Sequence, residues 1–123
     1  MKHDKRRYLR TLSTLEVWLG QEGIFTRNGE RIRILGAGGA FIQTRQPYPL
    51  ESMMAVRFRL KENEEFITCH TTVRSVEEGR GVGVEFTDLT RDERARIKAF
   101  VEAQLIAETM RKSAYLRKAQ QAA

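Results

Sequence analysis

The chain has 123 residues, a formal net charge of +6, 41% hydrophobic and 31% charged residues, which describes one soluble domain with one modest core. Its longest stretch without a polar side chain, Ile34 to Ile42, is nine residues, far short of the roughly 20 that a bilayer span needs. The start Met1-Lys2-His3-Asp4-Lys5-Arg6-Arg7 has no apolar stretch behind it, which argues against a secretory signal, and the single cysteine, Cys69, fits a reducing, cytoplasmic location.

Lys2, Lys5, Arg6, Arg7 and Arg10 place five positive charges in the first ten residues, so residues 1–11 read as a flexible basic arm. Leu15, Val17 and Leu19 then alternate with Thr14, Glu16 and Trp18, the period of a strand. Asn28-Gly29 is a hairpin signal because both residues tolerate positive φ, and Ile32 and Ile34 alternate with Arg31 and Arg33 on the return. Gly36-Ala37-Gly38-Gly39 interrupts the run before Ala40-Phe41-Ile42-Gln43 resumes it, and Pro47 and Pro49 mark a loop. Val56, Phe58 and Leu60 alternate with Arg57 and Arg59, residues 61–65 are an acidic turn, and residues 66–76 are rich in β-branched side chains. Glu77-Glu78-Gly79-Arg80 turns the chain into Val82, Val84 and Phe86. These six or seven short strands with regular turn signals predict a mainly β fold, a small antiparallel barrel.

The periodicity changes at Thr90-Arg91-Asp92-Glu93, a capping box that predicts a helix start. Ile97, Phe100, Val101 and Leu105 follow at helical spacing, and no glycine or proline occurs after Gly83, so a long helix over about 91–118 is expected. Its first half should pack on the barrel, closing a body over 12–102. Residues 103–123 form an extension and tail in which Ile106, Met110 and Leu116 stand among charges. Gln104 and Arg111 interrupt any coiled-coil seam, and the expectation is a monomer or a weak dimer through this helix.

Catalytic and metal constellations are missing, so the chain does not read as an enzyme. His3 and His70 lie far apart, and Cys69 and His70, adjacent on a strand, point to opposite faces and cannot share a metal. Gly-Lys-Ser/Thr is absent, and Gly36-x-Gly38 fails the dinucleotide fingerprint because Phe41 takes the third glycine position. No cofactor is implied. A nucleic-acid-binding barrel, suggested by net charge and basic termini, finds no aromatic stacking platform on a strand face.

The Arg6-x-x-x-Arg10 pair, the turn ending in Gly39-Ala40-Phe41-Ile42, the Gly81-Val82-Gly83-Val84-Glu85-Phe86 strand and the capped helix occur in that order. In this combination, over residues 5 to 102, the chain resembles the PilZ domain family. The resemblance implies a six-stranded β-barrel with a C-terminal helix, and a receptor for the bacterial second messenger cyclic di-GMP that signals to a protein effector. The family's ligand motifs are Arg-x-x-x-Arg on an arm and Asp/Asn-x-Ser-x-x-Gly at a strand end. The first falls on Arg6 and Arg10, with Lys5 and Arg7 as secondary contacts. The second is half erased, since counting back from Gly39 puts Ile34 at the Asp/Asn position and Gly36 at the Ser position. Isoleucine cannot exchange hydrogen bonds with a guanine edge, and the two losses together would weaken binding by about one to three decades. Gly36, Gly38 and Gly39 are expected to form the floor, with backbone amides that could meet a phosphate. The alternative is an adaptor of the same fold that no longer binds the messenger and acts through protein contacts.

Overall fold

A computed structural model describes residues 8–21 and 23–121. Eight strands and one helix follow in order: β1 (Arg10–Glu16), β2 (Trp18–Gln21), β3 (Ile24–Thr26), β4 (Arg31–Gly36), β5 (Gly39–Gln43), β6 (Met53–Phe58), β7 (Ile67–Glu77), β8 (Gly81–Phe86) and α1 (Arg91–Gln121). All strands belong to one antiparallel sheet in the order β1-β4-β5-β8-β7-β6-β2-β3. The predicted β class and C-terminal helix are present. The predicted six-stranded barrel is corrected to an eight-stranded, half-barrel sheet.

The two extra strands have identifiable causes. Residues 10–21, which alternate as a single strand, bend at buried Val17, whose amide leaves the ladder and donates to the Glu30 carbonyl at 3.4 Å. Before the bend the segment pairs with β4 and after it with β6. One stretch of chain thus serves two partners on opposite sides of the β4-β5-β8-β7-β6 run, and the sheet curls to accommodate it. The other addition is β3, a three-residue strand that pairs with β2 and whose Ile24 is exposed. Gly29 does take positive φ, at 82°, but the segment before it, β3, pairs with β2 while the return strand β4 pairs with β1. The Asn28-Gly29 turn therefore connects strands that are not each other's partners.

The sheet's concave side is filled by alternating apolar residues from most of the strands. Val17, Leu19, Ile32, Leu35, Ile42, Val56, Phe58, Ile67, Val73 and Val82 are all at most 4% exposed, and Ile97 and Val101 of α1 complete the cluster. Three register shifts, one of them in β1 between Leu12 and Leu15, change which side chains reach it. Register also slips in β4 between Ile32 and Ile34, and in β7 between Val73 and Ser75. An extra residue in a strand reverses the inward–outward alternation beyond it. Leu35 is therefore buried while Ile34 is only half-buried.

The helix begins where the capping box predicts. The Thr90 amide donates to Glu93 Oε1 at 2.9 Å, and the Glu93 amide donates to Thr90 Oγ1 at 3.0 Å. Its 31 residues extend for about 46 Å. Only the first half packs: Phe100 and Leu105 flank buried Ile97 and Val101, whereas residues 109–121 are exposed throughout.

Trp18 of β2 and Phe66, which precedes β7, form an edge-to-face aromatic pair at 5.4 Å. Its rings are covered, with Arg57 and Arg59 over Phe66 at 4.3 and 5.0 Å and Arg27 over Trp18 at 5.6 Å. These guanidinium groups compete with a nucleic-acid base for the ring faces.

Candidate functional site

The β4–β5 turn, the start of β1, the bulge of β7 and the first turn of α1 converge on a concave pocket of about 660 Å³, within the size range of small-molecule sites. Its polar wall consists of Arg10, Arg74, Ser75, Glu85 and Arg94, and its apolar wall includes Tyr8, Ile34 and Phe41. Gly36, Gly38, Gly39 and Gly83 contribute bare backbone.

Of the residues singled out from sequence, Arg10, Gly36, Gly38 and Gly39 line this pocket together. Lys5, Arg6 and Arg7 lie outside the described residues. Arg10, the last base of the arm, is the first residue of β1 and pairs across the ladder with Gly36. A Cβ at Gly36 would stand 2.8 Å from the Leu9 carbonyl oxygen and 3.3 Å from Arg10 Cγ. The glycine thus lets the arginine stem lie flat across β4. A Cβ at Gly38 would press into the Tyr8 ring at 3.0 Å, and one at Gly39 would strike the Val84 carbonyl of β8.

None of these three glycines has positive φ, so the alternating left- and right-handed backbone of an anion nest is not formed here. The turn's carbonyls are also committed. The Ala37 carbonyl accepts from Arg94 Nη1 at 2.7 Å, and the Gly38 carbonyl accepts from the Phe86 amide at 3.0 Å. The glycines act by occupying little space, and the charge of the site comes from side chains.

Arg74, Arg94 and Glu85 escaped the sequence reading. Arg94 sits in the first turn of α1, bonds the β4–β5 turn and lies 5.4 Å from the Tyr8 ring centre. It ties helix, turn and the start of the barrel to one another. Arg74 is the residue at which β7 bulges. Its Nη1 donates to Glu51 Oε2 at 2.8 Å and its Nη2 to Glu85 Oε1 at 3.2 Å. The Glu85 hydrogen bond and the attraction of Glu51 hold its guanidinium above the usual arginine range. Glu51 has φ 68°, a left-handed conformation that costs a non-glycine residue about 1 kcal/mol. The capping-box spacing could have flagged Arg94 as a first-turn residue, but no local signal marks a bulge at Arg74.

Cys69 is 3% exposed on β7. Burial, reinforced by the nearby charges of Asp88 and Glu93 and partly offset by Arg94, pushes its thiol up to about 12, so it is an unreactive core residue. His70, its neighbour, faces outward and shares a 2.6 Å contact between Nδ1 and Asp88 Oδ2. Among the described residues no group of three or more His, Cys, Asp or Glu could hold a metal ion, and no helix is long and apolar enough to cross a membrane.

Comparison with solved structures finds the same fold elsewhere. The inhibitor of motility MotI/DgrA of Bacillus subtilis aligns with a TM-score of 0.73 at 19% identity, covering 85% of this chain and 53% of that one. MrkH of K. pneumonia, solved as its complex with c-di-GMP, aligns with a TM-score of 0.62 at 17% identity, covering 89% and 56%. The chain therefore spans about half the length of these two proteins. No curated protein sequence matches it. The description of the PilZ domain matches residues 4–103, a stretch that holds the whole sheet, the pocket and the start of α1, and the chain belongs to the PilZ domain family.

Proposed function

We propose that this domain is a receptor and adaptor for cyclic di-GMP, which it binds in the pocket framed by β1, β4, β5 and the start of α1. The observation that carries the reading is the packing of Arg10 across Gly36 beside Arg94, in an open pocket of ligand size. Guanidinium groups fork onto phosphate oxygens and stack on base planes, so such a wall suits a ligand with two phosphates and two guanines. Arg6 and Arg10 are the principal contacts, Lys5 and Arg7 are secondary, and Gly36, Gly38 and Gly39 form the floor. Membership of the PilZ family and the likeness to MrkH, a c-di-GMP complex, support the choice of ligand.

Neutralising the arm's charges would let it close over the ligand, and the altered surface would be read by a protein effector. Residues 109–121, exposed along the second half of α1, are available for such a contact. The domain acts as a monomer or a weak helix-mediated dimer in the cytoplasm, with residues 1–11 as arm, 12–102 as body and 103–123 as extension.

Calorimetric titration with cyclic di-GMP tests the proposal. Saturable heat is expected from the wild type, and Arg6→Ala with Arg10→Ala should abolish it. Absence of heat at several hundred micromolar ligand would sink the receptor reading. That outcome would favour a second one, an adaptor that works through protein contacts alone, which Ile34 in the pocket wall motivates.

A further inference from the structure

We propose that Glu85 reads the purine edge of the ligand in this pocket, with Arg74 as the positioning residue that holds its carboxylate ready. This rests on the pocket taking a cyclic purine dinucleotide. A guanine presents two adjacent donors on one edge, N1–H and the 2-amino group, and the partner that matches both is a carboxylate with its two oxygens. Among the described residues that line the pocket, Glu85 is the one carboxylate. Ile34, which stands where an acceptor would serve, pairs with Phe41 across the ladder and offers only apolar surface.

Glu85 is well placed for the task. On β8 it lies directly opposite Gly39 of β5, and the same-face residue two positions earlier is Gly83. Neither glycine puts a side chain between the carboxylate and the pocket. The Glu85 side chain is 53% exposed, so a ligand can reach it. A carboxylate has about four lone-pair sites, and the Arg74 bond to Oε1 at 3.2 Å uses one of them.

Arg74 is itself braced. The β7 bulge turns it out of the ladder, and Glu51 takes its other terminal nitrogen at 2.8 Å. The carboxylate is thereby ordered before a ligand arrives, which removes part of the entropic cost of binding. Arg74 also offsets the repulsion Glu85 would exert on a dianionic ligand, and Arg10 and Arg94 remain as the cations for its phosphates.

The test is calorimetric titration of the full chain with cyclic di-GMP and with its inosine counterpart, which lacks the 2-amino group. Wild type should prefer the guanine ligand by about tenfold or more. Glu85→Ala should lower cyclic di-GMP affinity about ten- to a hundredfold and erase most of that preference. Glu85→Gln, which keeps one acceptor, should fall between. Arg10→Ala should weaken both ligands alike, and melting curves should show all variants folded. If wild type binds and both Glu85 variants keep the full guanine preference, the assignment of Glu85 is overturned while the receptor reading stands. If wild type binds neither ligand, the receptor reading falls and this one with it.

Discussion

Replacing Arg94 by alanine should loosen the joint between helix and pocket. Arg94 donates a 2.7 Å hydrogen bond to the Ala37 carbonyl and lies 5.4 Å from the Tyr8 ring centre. A hydrogen bond to a charged group contributes about 1.5–3 kcal/mol, and a partly exposed cation–π contact about 0.5–1 kcal/mol. The side chain is half-buried, so the lower half of the combined range applies, about 2–3 kcal/mol. For a chain of this size that corresponds to a fall in melting temperature of roughly 6–15 °C. Thermal and urea denaturation of wild type, Arg94→Ala and Arg94→Lys would measure it. The lysine should recover part of the loss, since it retains charge but lacks the planar fork. In a double-mutant cycle with Tyr8→Ala, a coupling of about 0.5–1 kcal/mol isolates the ring contact. A loss below about 0.5 kcal/mol for Arg94→Ala would refute the reasoning, because it would mean that α1 and the β4–β5 turn are not joined through this residue.

Three further outcomes are expected. Gly39→Ala should cost about 1–3 kcal/mol in urea denaturation, because its Cβ would meet the Val84 backbone carbonyl, and a neutral result would contradict the β5–β8 register. Cys69 should resist thiol reagents in the native state at about pH 8, where a thiol pushed up to about 12 is ionised only to roughly one part in ten thousand; rapid labelling without unfolding would show that β7 opens. For Asp88, burial raises the carboxyl, but hydrogen bonds from the His70 ring and amide, with the attraction of His70, outweigh it and hold the group below its ordinary 3.8. Its contribution to stability is therefore complete above that ordinary value and is lost as pH falls through the lowered one. The melting-temperature gap between wild type and Asp88→Asn should close as pH falls below about 4, and a gap unchanged down to about pH 2 would contradict the linkage.

Much of this molecule was legible in local patterns. Strand periodicity, the capping box and the spacing of Ile97, Phe100, Val101 and Leu105 depend on neighbours within a few residues, and each corresponds to an element observed here. The Arg10–glycine part of the site was legible for the same reason: a motif is a local object. Composition and periodicity also sufficed for the β class and the long helix.

The tertiary structure alone decided which strands meet and which side chains face one another. The bend at Val17, which divides residues 10–21 between β4 and β6, reflects the curvature of the whole sheet. The bulges at β4 and β7 arise from pairing, so the exposure of Ile34 and the turning-out of Arg74 followed from partners rather than from alternation. Arg74 touches Glu51 and Glu85, and Arg94 touches Ala37, contacts between segments that only the folded sheet brings together. The net charge of +6 pointed to anions in general. Long-range pairing turned that general attraction into a pocket whose described lining sets Arg10, Arg74 and Arg94 around Glu85.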